Sequence, residues 1–339
     1  MVLKCCDLRH CMRTAAPLQS AAVLRLPVVE SGEHAMPAGP DKLKSVADVI
    51  RTIPSGASIA LGGFSIARNT IVVAHELIRQ QKKDLTVSQG VVGLETDLLV
   101  GAGLVKRLIM GGGSLDRFGP VHCVNRARET KSLDCEDYTS LSICFRYLAG
   151  ALGLSYLPIK SLLGSEVLER LEAGSGAADV RRSNCPFTGE EYVLLRALTP
   201  DVSFVHVQIA DREGNCQIKG PRWENEEQAK AARRLIVVAE EIVPTEYIQR
   251  SPEKTIIPGH RVEAVVHQPF GAVPTAVFGC YDYDAEHLRL YVEHARDPKH
   301  FQEYLQRFVL GSRDHWDYLD KLGGLRRMEQ VIAEPVLGY

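Results

Sequence analysis

Residues 57–64 read ASIALGGF, residues 84–90 DLTVSQG and residues 105–113 VKRLIMGGG. Each is a short apolar run that stops on glycine. Between them lie NTIVVAHELIRQQ at 69–81, with Ile71, Ala74, Leu77 and Ile78 at helical spacing, and ETDLLVGAG, a helix closed by Gly101 and Gly103. Strand, glycine turn, helix, strand is the grammar of the βαβ unit. It predicts an α/β fold with an open, mostly parallel sheet flanked by helices.

The pattern extends in both directions. Upstream, SVADVIRTI at 45–53 reads as a helix closed by Pro54-Ser55-Gly56. Downstream, 139–153 reads as a helix and 154–165 as a strand and loop. The polar, glycine-rich stretch EAGSGAADVRRSNCPFTGEE at 172–191 reads as an irregular surface excursion. Strands follow at 192–198, 201–210 and 234–243, another lies within 258–274, and 223–234 reads as a helix. From about Glu286 to Arg327 the chain reads as helices. Residues 1–40 lack this periodicity. They carry Arg9, Arg13 and Arg25 among apolar residues, with no long apolar core and no small-residue cleavage site. They are set apart as a disordered extension or a start placed too far upstream, and 41–339 is taken as one domain.

Composition excludes several classes. With 339 residues, 45% hydrophobic and 24% charged, the chain can bury a sizeable core. A formal net charge of -2 gives no basic field for nucleic acid, and no apolar run is long enough for a membrane span. Nine cysteines without a CxxC pair read as small buried hydrophobes of a reduced, cytoplasmic protein. His75, His122 and His206, read as helix, loop and strand residues, lack metal-ligand spacing, so no metal is expected.

Chemistry is expected where the glycines are. In open parallel sheets, ligands bind beyond the carboxyl ends of the strands. Gly62, Gly63, Phe64 and Ser65 before a helix starting near Asn69, Gln89 and Gly90 on the second strand, and Gly112, Gly113 and Ser114 after the third form the candidate substrate-binding set. Glycine there lets a ligand approach the backbone and leaves N–H groups for an anion. The same residues also fit tight turns that hold no ligand. Neither a dinucleotide fingerprint nor a P-loop is present.

A resemblance makes the reading specific. SGASIALGGF at 55–64, the DLT at 84–86, GLVKRLI at 103–109, ALGLSYLPI at 151–159 and DVSFVHVQIADREGN at 201–215 resemble the A subunits of class I CoA-transferases. The run from Ala239 to Asp284, DHWDYLDKLGG at 314–324 and the terminal PVLGY are similar to the glutaconate CoA-transferase A subunit in particular. The similarity spans Lys44 to Tyr339. It implies a fold shared in outline with sugar-phosphate isomerases and a B subunit that meets this chain at the active site. It implies coenzyme A thioester as substrate, with no bound cofactor. The implied reaction is ping-pong, through an acyl-glutamyl anhydride and then a glutamyl-CoA thioester. The nucleophilic glutamate is expected on the B subunit, so no catalytic residue is assigned here.

Departures from the family mark where specificity is decided. Ser65–Thr70 replaces a Gly-x-Pro helix entry, and the glutaconate type has a basic residue where Arg68 stands. Arg68 is therefore a candidate partner for a substrate carboxylate; the other reading is an exposed first-turn arginine. Gly111–Asp116 replaces a more polar run, which leaves the acid open. Related CoA-ester hydrolases use an acidic A-chain residue where Ser140 stands beside Thr139, which favours transfer. Glu95 is read as a solvated carboxylate at a helix start, with nucleophile as the alternative. Glu240 and Glu241 are read as lining the site or as structural partners.

Overall fold

The computed structural model describes residues 39–334. The expectations for residues 1–35 and the terminal PVLGY lie outside them. The Gly39 amide bonds to Glu213 Oε1 at 2.7 Å.

The strands are β1 (Ser58–Leu61), β2 (Leu85–Gln89), β3 (Val105–Met110), β4 (Asp134–Asp137), β5 (Tyr156–Ile159), β6 (Val180–Asn184), β7 (Glu191–Arg196), β8 (Val202–Ala210), β9 (Cys216–Gln217), β10 (Arg234–Ile242), β11 (Thr255–Ile257) and β12 (Ala264–His267). The helices are α1 (Val46–Arg51), α2 (Ile71–Arg79), α3 (Leu94–Gly101), α4 (His122–Glu129), α5 (Ser140–Ala151), α6 (Glu166–Ala173), α7 (Asn225–Ala231), α8 (Thr245–Gln249), α9 (Ala285–Ala295), α10 (Pro298–Tyr304), α11 (His315–Lys321) and α12 (Gly324–Val331).

Nine strands form the main sheet. From β4 through β3, β2, β1, β8 and β10 to β12 every pairing is parallel. The expected parallel α/β architecture is therefore present. β9 and β11 add short antiparallel pairings beyond the carboxyl end of β8. β8 is central and all nine of its residues are buried, which is why VSFVHVQIA reads as an almost unbroken apolar run.

Three expectations need correction. α2 has no solvent face: Ile71 through Ile78 are all buried, including His75 and Glu76. The C-terminal helices pack over it, and Tyr318 of α11 meets the His75 ring edge-on at 4.6 Å. The stretch at 172–191 is ordered rather than irregular. It holds a 3-10 turn, Ser175–Ala178, and strand β6, which pairs with β7 and, through it, with β5 in a separate three-stranded antiparallel sheet. β6 is an edge strand with one buried anchor, Val180, and its polar sequence reflects that exposure. His122 opens helix α4 rather than sitting in a loop.

Candidate active site

Because β1, β2 and β3 are parallel and adjacent, their three glycine turns emerge side by side on one edge. The turns are tied to each other. Gly111 N donates to Gly90 O at 2.9 Å and Val92 N to Gly112 O at 2.9 Å, while Ser65 Oγ donates to Ser114 O at 2.8 Å. Thus Gly62, Gly63, Phe64, Ser65, Gln89, Gly90, Gly112, Gly113 and Ser114 lie on one edge of the sheet.

The expectation that the first turn offers free amides fails. Gly62 N donates to Phe204 O at 2.8 Å and Gly63 N to Asn225 Oδ1 at 3.1 Å. Phe64 N donates to Ala67 O, Ser65 N to Val91 O, Arg68 N to Ala276 O and Asn69 N to Thr275 Oγ1. The turn folds on itself, with Gly63, Ser65 and Arg68 at φ +97°, +56° and +52°, before α2 starts at Ile71 rather than Asn69. The third turn differs. The Gly112 and Gly113 amides have no acceptor among the described residues, and a Cβ at Gly112 would meet nothing within 4 Å.

Arg68 is neither exposed nor in a first helical turn. It is 2% exposed, donates through Nη2 to Pro221 O at 2.7 Å, and lies over the Trp223 ring at 4.8 Å. Its Nε and Nη1 are buried without an acceptor. Burial lowers its pKa to about 10, opposed by the charge of Glu224. With Lys219, Trp223, Phe278 and Tyr281 it lines a cavity of about 210 Å³ beside the first turn.

The carboxylates turn inward. Glu95 is fully buried, which corrects the solvated reading. It accepts from Gln89 Nε2 at 2.7 Å, Gln89 accepts from Thr96 Oγ1 at 2.6 Å, and desolvation raises the Glu95 pKa to about 7. The same Gln89 Nε2 reaches Gly62 O at 3.4 Å. Glu240 is a structural partner: it accepts from His206 Nε2 and from Phe270 N, each at 2.6 Å, and from the Tyr281 hydroxyl. Glu241 is exposed. Ser140 opens α5 directly against Gly111, behind the Thr139 cap.

Sequence reasoning missed Trp223, Glu224 and Asn225. They precede and open α7, where acids read as ordinary helix-start residues. Only the topology carries them back over the first two turns.

An open parallel sheet thus carries three glycine turns on its carboxyl edge, with buried acids behind them. Residues 43–268 match the family model for coenzyme A transferases, and the chain belongs to that family. It is 33% identical over 315 residues to the A subunit of glutaconate CoA-transferase from Acidaminococcus fermentans, covering 88% of this chain and 97% of that one. It is 31% identical over 277 residues to the A subunit of 3-oxoadipate CoA-transferase from Pseudomonas knackmussii, covering 81% and 95%. The crystal structure of glutaconate coenzyme A-transferase from Acidaminococcus fermentans superposes with a TM-score of 0.84 at 32% identity, covering 88% of this chain and 98% of that chain. Within the family this chain is thus of the A-subunit type. No helix among the described residues is long and apolar enough to cross a membrane.

Proposed function

We propose that this chain is the A half of a two-subunit CoA-transferase, acting in the cytoplasm with a B subunit. Coenzyme A passes between an acyl-CoA and a carboxylic acid through a glutamyl-CoA thioester on the B subunit, and no resident cofactor is invoked. One observation carries the half-enzyme reading. Glu95, Glu224 and Glu240 are buried or hydrogen-bonded inward, so none of the three is presented as a nucleophile.

The roles divide by turn. The Gly112 and Gly113 amides are the donors proposed to meet negative charge developing on the acyl oxygen. The cavity beside Arg68 is proposed to take the acyl portion. Its wall is largely apolar, with Arg68 and Lys219 as cations, which suits an acid carrying a second carboxylate. The six cysteines described as free thiols accord with a reducing compartment.

The test is reconstitution. This chain and the B subunit, purified separately, are assayed alone and mixed with acyl-CoA. With acceptor acid withheld, intact mass should show a coenzyme A adduct on the B subunit only. Turnover or an adduct with this chain alone would overturn the proposal. Steady release of free coenzyme A without an acceptor would show hydrolysis instead of transfer.

A further inference from the structure

We infer that Trp223, Glu224 and Asn225 form a brace that positions the first two glycine turns for the reaction. The inference rests on the reading of this edge as the active site. The three side chains follow one another in sequence and each reaches a different part of the turns.

Asn225 is fully buried. Its Oδ1 accepts the Gly63 N–H at 3.1 Å, its Nδ2 donates to Arg222 O at 2.8 Å, and a Cβ on Gly62 would come within 2.7 Å of Oδ1. The Gly62–Gly63 peptide is therefore held from its N–H side by this one oxygen and from its carbonyl side by Gln89 Nε2. Trp223 stacks on Phe64 with ring centroids 5.2 Å apart and planes 14° apart, and its face receives the Arg68 guanidinium. It does so at φ +48°, a left-handed conformation that a bulky residue adopts only when its surroundings hold it there. Glu224 is 3% exposed and lies against the Gly90 backbone so closely that any side chain at Gly90 would overlap its carboxylate. Burial raises its pKa, opposed first by the backbone N–H groups of Glu224 and Gly90 and then by the charge of Arg68.

The glycines at 62 and 90 are thus glycines because Asn225 and Glu224 occupy the space, while Gly63 is required by the Arg68 backbone and by its own φ of +97°. None of the three side chains contacts the third turn, whose Gly112 and Gly113 amides have no acceptor among the described residues. Its function is positional: it fixes two backbone segments beside the acyl cavity and touches no reacting atom. Small displacements of such a segment cost turnover far more than binding.

The experiment uses the complex assembled with its B subunit. It compares Trp223→Ala, Trp223→Phe, Asn225→Ala, Gly63→Ala and the Gly63→Ala/Asn225→Ala pair. Hydrogen–deuterium exchange is read on peptides covering 62–70 and 111–115, together with kcat and KM. Trp223→Ala and Asn225→Ala should each speed exchange at 62–70 by about tenfold or more and leave 111–115 unchanged. Each should lower kcat by about tenfold or more; KM for acyl-CoA should stay within about threefold in Asn225→Ala, whereas Trp223→Ala, which also removes a wall of the acyl cavity, should raise it further. Trp223→Phe, which keeps an aromatic face against Phe64, should recover most of the loss. Asn225→Ala should add less than about threefold in kcat to Gly63→Ala, because both act on one peptide. Unchanged exchange at 62–70, an effect on KM alone, or fully multiplicative effects in the pair would overturn the brace. A wild-type complex without transferase activity would sink the functional reading instead. In that case faster exchange would leave only a structural contact, and the positioning role would be lost.

Discussion

The first and third glycine turns leave the same sheet edge two strands apart, and they use glycine for opposite reasons. At Gly62 and Gly63 a side chain would run into Asn225 Oδ1 and the Arg68 carbonyl, each at 2.7 Å, and the amides of Gly62, Gly63, Phe64 and Ser65 all have internal acceptors. At Gly112 a side chain would meet nothing, φ is +119°, and the amide has no acceptor among the described residues. Gly62 and Gly63 are glycines so that protein can pack against them; in the third turn Gly111 is packed likewise, but Gly112 keeps an open face that a ligand or partner can use. A run of glycines at a strand end therefore does not by itself mark an anion site. What decides is whether the amides are already taken.

The largest expected effect lies on the packed side. Gly63→Val adds a β-branched side chain at φ +97°, against the backbone of Arg68. It should destabilise the chain by about 2–3 kcal/mol and lower turnover more than about 100-fold in the complex. Thermal melts read beside turnover check both parts. Near-normal stability would mean that the turn is looser than its hydrogen bonds imply, and the contrast with the third turn would fail.

Arg68→Ala tests the cavity behind the packed turn. If its guanidinium pairs with a distal carboxylate, KM for a dicarboxylic acid should rise by about 10- to 100-fold, from the loss of roughly 1.5–3 kcal/mol. A monocarboxylic acid should suffer less. Equal losses for both would assign Arg68 to holding Trp223 and Pro221 in place, with no part in acid selection.

These particulars show what the sequence made legible. The parallel order of β1, β2 and β3 followed from apolar runs ending in glycine, because burial on both faces leaves that signature. The meeting of Gln89 with Gly62 and of Ser65 with Ser114 followed from the topology. The states of the amides did not, since Asn225 comes from 162 residues away and only a fold brings it to Gly63. The same limit explains Glu95. An acid in a first helical turn ordinarily faces water, but α3 is covered on every side and Gln89 receives the carboxylate. β4 and β6 were missed for a local reason. Both are short edge strands whose exposed side chains break the alternation that marks a strand.

On the open side, Gly112→Ala should leave assembly and fold intact, costing about 1–2 kcal/mol for the backbone angle alone. Alanine there disfavours the conformation that holds the Gly112 and Gly113 amides outward. Turnover should fall by about tenfold, with KM for acyl-CoA little changed. Wild-type kinetics from a well-assembled complex would show that these amides bind no developing charge, and the open turn would be a surface feature only.

The smallest effect on catalysis, and the one that isolates the packed side, comes from Glu95. Its carboxyl joins Gln89, which reaches the Gly62 carbonyl, so it fastens the first turn to β2 from beneath. Burial raises its pKa from an ordinary 4.5 to about 7. Below about pH 4.5 the group is protonated in both folded and unfolded chains and adds no pH dependence. Between about pH 4.5 and 7 the unfolded chain gives up the proton while the folded chain keeps it, so stability falls as pH rises. Above about pH 7 the penalty is complete, on the order of 3 kcal/mol for a shift of this size. Asp97, raised from 3.8 to about 6 by the same desolvation, contributes in the same direction and remains in any variant at 95. Glu95→Gln keeps a carbonyl oxygen for Gln89 and cannot ionise. Urea unfolding of the two chains from pH 4.5 to 8.5 should give nearly equal stabilities at the acid end. At pH 8 the variant should be more stable by about 2–3 kcal/mol, and turnover at pH 6 should match wild type within about twofold. Gly112→Ala adds and removes no titratable group, so it should shift both pH curves by a constant amount. Parallel curves for wild type and Glu95→Gln would mean that the carboxyl is held ionised in the folded chain. The link from Glu95 through Gln89 to Gly62 would then be a charged contact rather than a neutral one.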